Sequence, residues 1–201
     1  VLNRMFIDPA TGRGYPVDAI PMLKKIEKFF KPGDEQRLIA NLDFVGIQNY
    51  TREIVQFSPF VPFLWGKPVD AKKRGVQTTE MGWEVYPEAI YQCLKWFASY
   101  PEIKKLYVTE NGAAFPDTVT RSRTIEDNQR IEFLKAYLGQ VLRAKREGIN
   151  VNGYFVWSFM DNFEWNFGYR PRFGLVYVDY PTQERILKNS GKWYRDFLAG
   201  K

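Results

Sequence analysis

Residues 105–112 read Lys-Leu-Tyr-Val-Thr-Glu-Asn-Gly. This is a short apolar, β-branched run that breaks off in a glutamate and a turn dipeptide. It predicts a strand over Lys105–Thr109, with Glu110 standing where the strand stops. Two further runs of the same kind, Asp43–Tyr50 and Val151–Phe159, are the other strand candidates. Amphipathic segments separate them. Pro87–Tyr100 opens with a proline suited to a first helical turn and sets Ile90, Leu94 and Phe97 on one face, with Pro101 to stop it. Ile125–Glu147 carries a stripe of Ile131, Leu134, Leu138, Val141 and Leu142, a capping-box-like Thr124 and Asp127, and Gly148 at its end. Strands that alternate with helices pack as an α/β fold around a parallel sheet. The tail departs from this: Phe173–Tyr180 alternates like an antiparallel strand leading to Pro181-Thr182, and Ser190–Ala199 closes as a helix. Tyr15-Pro16 and the stretch to Gly33 read as a loop and a helix, not a boundary. Neither a repeat nor a low-complexity linker appears, so residues 1–201 are taken as one partial domain without a second. Three parallel strands alone leave edges and faces uncovered, so either strands are missing or something covers them.

Composition narrows the chemistry. The net charge is +6, but the basic residues are spread along helices with acids between them, which describes a solvated face and not a nucleic-acid surface. No run approaches the roughly 18 apolar residues of a membrane span. A signal-peptide pattern is absent, which favours the cytoplasm, although a chain that begins with Val1 reads as processed or excerpted. The single cysteine, Cys93, falls among apolar residues and is expected to pack. The chain has no histidine. Histidine-dependent triads, and zinc sites built from histidine or clustered cysteine, are thereby excluded. Carboxylate chemistry remains, with neither a metal nor an organic cofactor implied.

Residues 157–179, Trp-Ser-Phe-Met-Asp-Asn-Phe-Glu-Trp-Asn-Phe-Gly-Tyr-Arg-Pro-Arg-Phe-Gly-Leu-Val-Tyr-Val-Asp, mix three carboxylates with a dense run of aromatic rings. Sugars present apolar C–H faces that lie on such rings and hydroxyls that need charged acceptors. In a β/α barrel, reacting groups project from the C-terminal ends of strands, so Glu110, Tyr50 and the Trp157–Glu164 segment would converge on one mouth. Glycoside hydrolysis generally needs two carboxyl groups, about 5–5.5 Å apart when configuration is retained. Within this chain the second could be Asp161 or Glu164. Asp161 also reads as a loop-holding acceptor of backbone N–H groups.

Thr109-Glu110-Asn111-Gly112 and the 157–179 segment together resemble the C-terminal part of glycoside hydrolase family 1, whose typical members are β-glucosidases. Phe6-Ile7-Asp8-Pro9, Asp43-Phe44-Val45-Gly46-Ile47, Met81-Gly82-Trp83-Glu84 and Gly153-Tyr154-Phe155 extend the likeness over nearly the whole chain. The resemblance implies about the last three β/α units of a (β/α)8 TIM barrel. It makes Glu110 the nucleophile of a retaining mechanism and Tyr50 the residue that orients it. It assigns Glu164 and Trp165 to hydroxyls on the far side of the glycone, Trp157 to the ring beneath the sugar, Phe173 to the outer pocket wall and Trp83 to the aglycone side. The family's acid/base lies in an Asn-Glu-Pro motif earlier in the polypeptide, and no Asn-Glu-Pro occurs here. The expected partners are therefore a β-glucoside or short β-linked oligosaccharide and an N-terminal half of the barrel. A carbohydrate-binding pseudoenzyme and an inactive excerpt of a longer enzyme are the alternatives. Two departures stand out: Gln48-Asn49 where the family more often has Asn-Tyr, and Pro171 in a stretch that is commonly Ser or Lys. Members acting on 6-phosphorylated sugars carry Ser, Lys and Tyr where this chain has Glu164, Pro171 and Phe173. The carboxylate disfavours a phosphate, so unphosphorylated β-glucosides are expected.

Overall fold

The computed structural model describes residues 2–61 and 65–201; Val1 lies outside them. The elements in chain order are α1 (Leu2–Ala10), a 3-10 helix (Pro21–Phe29), α2 (Asp34–Leu38), β1 (Val45–Gln48), β2 (Val55–Phe57), β3 (Gly66–Pro68), α3 (Glu88–Ala98), β4 (Leu106–Asn111), α4 (Asn128–Arg146), β5 (Val151–Val156), β6 (Val176–Asp179), β7 (Glu184–Leu187) and α5 (Asn189–Leu198). β1, β4 and β5 form a parallel sheet in the order β1-β4-β5. These are the three expected strands; β1 and β5 are shorter than expected, whereas β4 starts one residue later and runs on through Glu110 to Asn111. Two antiparallel hairpins, β2-β3 and β6-β7, stand apart from that sheet.

One face of the sheet carries the core. Ile47, Leu106, Val108 and Val151 pack there against Ile90, Leu94, Leu134, Tyr137 and Val141 of α3 and α4. Leu138 is buried as the helical stripe required, but Leu142 is 44% exposed and Phe133 and Tyr137 take the inner positions. Their rings stack with centroids 4.1 Å apart. Cys93 packs against this core, and burial lifts its thiol to about 11. Among the described residues, no helix is long and apolar enough to cross a membrane.

The sequence-based start of α4 needs correction. The helix begins at Asn128, not Ile125, and the Asp127 side chain does not cap it. That carboxylate is recruited elsewhere. It accepts hydrogen bonds from the Ser190 backbone N–H at 2.8 Å and from the Ser190 hydroxyl, in the first turn of α5, and it pairs with Arg130. Thr124 likewise bonds within its own turn, to Thr120.

Two close backbone approaches position the site, and each requires glycine. A Cβ at Gly112 would fall 1.7 Å from the Trp157 carbonyl oxygen, and one at Gly174 would fall 2.2 Å from the Asp161 nitrogen. The end of β4 therefore lies directly against the start of the aromatic segment, and that segment folds back upon residues 173–176. Asp161 N–H donates to the Val176 carbonyl at 2.9 Å, and Leu175 N–H to the Ser158 carbonyl at 2.9 Å.

Candidate active site

β4 delivers its carboxylate through a break in alternation. Along Leu106–Asn111 burial alternates as far as Val108, after which Thr109 and Glu110 are both partly exposed and Asn111 is fully buried. The phase has slipped by one residue, as a β-bulge requires. The ladder shows the same slip: Ile47 pairs with Val108, but Gln48 pairs with Glu110. Glu110 is thus turned toward β1. There the Tyr50 hydroxyl donates to Glu110 Oε2 at 2.6 Å and Gln48 Nε2 donates to Oε1 at 2.8 Å. Burial foremost, and then the bond to Glu110, push the Tyr50 hydroxyl well above its ordinary ionisation range, so it remains a neutral donor.

Asn111 locks this strand end from behind. Its Nδ2 donates to the Asn49 carbonyl at 2.6 Å, and its Oδ1 accepts from the Tyr154 hydroxyl, so one buried amide ties β1, β4 and β5 together. The sequence reading took Asn111 only as part of a turn.

Rings gather around Tyr50. Trp83 and Phe173 lie 5.4 and 6.3 Å from it, centroid to centroid, and 6.1 Å from each other. Phe173 is 2% exposed, which corrects its placement at an outer wall. Its ring stands nearly perpendicular to that of Tyr50, so it props that phenol from within.

Trp83 is held by its neighbour Glu84, whose carboxylate receives Arg52 at 3.0 Å and Arg74 at 2.7 Å, while the Glu84 carbonyl accepts from the Thr51 hydroxyl. Arg52 also lies 3.5 Å above the Tyr86 ring. The bonds from Arg52, and then from Arg74, lower the Glu84 carboxyl from 4.5 to about 2. A depressed carboxyl stabilises the fold fully above its unfolded value and loses that contribution as pH falls through the folded one. Stability should therefore decline between pH of about 4.5 and about 2, and Glu84→Gln should flatten this limb. Urea midpoints measured across that window test it; equal slopes in both proteins would refute the assignment.

On the facing loop, Trp157 Nε1 donates to Glu164 Oε1 at 3.0 Å. Burial raises the Glu164 carboxyl, the Trp157 bond opposes this, and the charge on Glu110 adds to the rise. Glu164 and Glu110 therefore share one electrostatic environment. Trp165, in the 3-10 turn Trp165–Phe167, is 83% exposed. The structure thus gathers Glu110, Tyr50, Trp83 and Phe173 into one cluster and sets Trp157 and Glu164 beside it, with the Trp165 ring open to solvent.

Asp161 is excluded as the second carboxyl. Its oxygens accept from Gly174 N–H at 2.9 Å, Val178 N–H at 3.4 Å, Lys188 Nζ at 2.8 Å and Arg172 Nη1 at 3.0 Å. It is buried and saturated, so it holds the loop. Lys188 also reaches Asp117 at 2.5 Å, and Arg130 meets Asp117 and Asp127. Among the described residues, no cluster of histidine, cysteine or carboxylate side chains converges as a metal ion would require.

The cluster as a whole offers a carboxyl group with one hydrogen bond to each oxygen and lone pairs to spare, beside a second carboxyl and flat rings. A carboxylate held in this way can attack an electrophilic carbon and leave again.

Comparison with known proteins agrees in kind. The family model described as glycosyl hydrolase family 1 matches residues 1–201. Beta-glucosidase A of Thermotoga maritima is 41% identical over 194 residues, covering 96% of this chain and 43% of the relative. A 6-phospho-beta-galactosidase of Lacticaseibacillus rhamnosus is 34% identical, covering 96% of this chain and 47% of its own length. Among solved structures, the AHE enzyme from Alicyclobacillus herbarius superimposes with a TM-score of 0.89 at 39% identity, over 98% of this chain and 44% of that one. The T. maritima beta-glucosidase in complex with methoxycarbonyl-substituted glucoimidazole gives 0.87 at 39% identity, over 98% and 44%. The chain therefore spans less than half the length of each of these relatives, as a partial β/α fold.

Proposed function

Since the chain belongs to glycosyl hydrolase family 1, we propose that it supplies the nucleophile side of a retaining β-glucosidase site, as roughly the last three β/α units of an eight-stranded barrel. Glu110 is the nucleophile, oriented by Tyr50; Trp157, Glu164 and Trp165 bind the glycone, and Trp83 flanks the aglycone. The observation that carries this reading is the Tyr50–Glu110 bond of 2.6 Å at the end of β4, beside the Trp157–Glu164 pair.

In the first step a Glu110 oxygen forms a bond to the anomeric carbon while the glycosidic C–O bond breaks, its electron pair leaving with the aglycone. In the second, water forms the new C–O bond, its proton passing to the acid/base group of the remaining barrel half, and the ester electron pair returns to Glu110. An ordinary aglycone needs a proton as it departs, and the acid that gives it comes from the remaining barrel half in this reading. Alone, the chain hydrolyses nitrophenyl β-glucoside slowly or not at all.

A 2,4-dinitrophenyl 2-deoxy-2-fluoro-β-glucoside separates the two requirements, because its leaving group departs as a stable anion without protonation. Peptide mass analysis should find the label on Glu110. Labelling of another side chain would overturn the assignment, and robust nitrophenol release by the isolated chain would overturn the dependence on a second half. The lack of an Asn-Glu-Pro also favours a second reading, a sugar-binding module without turnover. Glucose binding with neither labelling nor hydrolysis, even when the remaining half is supplied, would support it.

The Lacticaseibacillus relative is named for a phosphorylated substrate, but Glu164 would face a 6-phosphate with like charge. Unphosphorylated glucosides are the proposed class.

A further inference from the structure

We propose that Gln48 is a positioning residue that acts through Glu110 and governs how readily that carboxylate leaves the glycosyl intermediate. The proposal rests on the reading of Glu110 as nucleophile and goes beyond it, because Tyr50 alone would suffice to orient one oxygen. In this chain both oxygens are held: Oε2 by the Tyr50 phenol at 2.6 Å and Oε1 by the Gln48 amide at 2.8 Å. Two features make the second contact possible. Residues 48 and 50 lie two apart, so both project to one face of the extended segment. The irregularity between Ile47 and Gln48 then sets Gln48, instead of its successor Asn49, opposite Glu110.

Side-chain length matters as well. An asparagine here would be shorter by one C–C bond, about 1.5 Å, which puts its amide outside hydrogen-bond reach of Oε1. The glutamine and the bulge are therefore matched.

A donor on a carboxylate favours its charged form. During attack that stabilisation makes the oxygen less basic, offsetting the gain in orientation. During release it acts wholly in favour of reaction, since the ester electron pair returns to an anion that Gln48 and Tyr50 both hold. Gln48 should therefore affect the second step much more than the first.

The test uses the complete 201-residue chain and the dinitrophenyl 2-fluoroglucoside, following by intact mass the appearance of the adduct and its loss after excess reagent is removed. Gln48→Met keeps the reach and loses the N–H; Gln48→Asn keeps the N–H and loses the reach. Both should release the sugar about tenfold more slowly, with trapping changed less than about threefold. An isosteric variant would be silent if the glutamine only filled space. A second reading needs no chemistry: one Gln48 side-chain amide proton should resonate downfield in NMR spectra of the free chain and return to the ordinary region in Glu110→Ala. An unmoved amide resonance, or equal release from wild type and Gln48→Met, would overturn the proposal alone. No label on Glu110 in the wild type would overturn the nucleophile assignment and this proposal together.

Discussion

With the barrel completed by a second half that carries an Asn-Glu-Pro glutamate, replacing Glu110 with glutamine lowers kcat on an aryl β-glucoside on the order of 10⁴-fold, because no ester can form through a neutral amide. The effect is confined to chemistry. Core residues surround β4 from the helix side, and Glu110 is only partly buried, so the variant should melt within a few degrees of wild type. Glu110→Ala adds a sharper arm. Azide can enter the vacated space and attack the anomeric carbon from the face that Glu110 occupied, giving the α-glucosyl azide from a β-glucoside. Recovery of that product identifies the face of attack, which a loss of activity alone does not. A Glu110→Gln protein that retains more than about a tenth of wild-type turnover would remove the carboxylate from the mechanism.

Replacing Lys188 with methionine should destabilise the fold by about 3–5 kcal/mol, the cost of leaving buried carboxylates without their counter-ion. The Lys188 side chain is fully buried, with Nζ 2.5 Å from Asp117 and 2.8 Å from Asp161. Three carboxylates, Asp117, Asp127 and Asp161, are balanced there by Arg130, Arg172 and Lys188. Burial foremost, then the Arg130 charge, lower the Lys188 ammonium from its ordinary range, while Asp161 and Asp117 oppose the shift. Asp161 is also the residue that holds Gly174 and Val178, so loss of the lysine should loosen the loop that presents Trp157 and Glu164. Urea unfolding gives the stability, and a double variant with Asp161→Asn should cost less than the sum of the two single changes. A Lys188→Met protein within about 1 kcal/mol of wild type would show that water or a rearranged arginine takes over the role.

Local patterns were sufficient for much of the architecture. β-Branched runs that end in polar residues marked β1, β4 and β5, and apolar spacing marked α3, α4 and α5, because strand and helix periods are written in neighbouring residues. The aromatic and acidic mixture of residues 157–179 likewise exposed a pocket composition without any coordinates. Phe173 and Asp161 show what composition leaves open, although the loop-holding reading of Asp161 is the one its hydrogen bonds from Gly174 and Val178 bear out. Both types fit a sugar site by chemistry, yet one is a buried prop and the other a saturated loop anchor. What leaves Trp157 and Glu164 partly exposed while these two are buried is long-range contact, which composition does not encode.

The sequence by itself determined the order of the three parallel strands and of α3, α4 and α5, the lack of histidine chemistry and the position of Glu110 near a strand end. Tertiary structure decided the rest: the one-residue slip in β4 that aims Glu110 at Gln48 and Tyr50, the approach of Gly112 to Trp157, and the partners of Asp161. The physical reason is distance along the chain. Periodicity reports on neighbours a few residues apart, whereas the two bonds to Glu110 span 60 and 62 residues and exist only once β1 and β4 have paired.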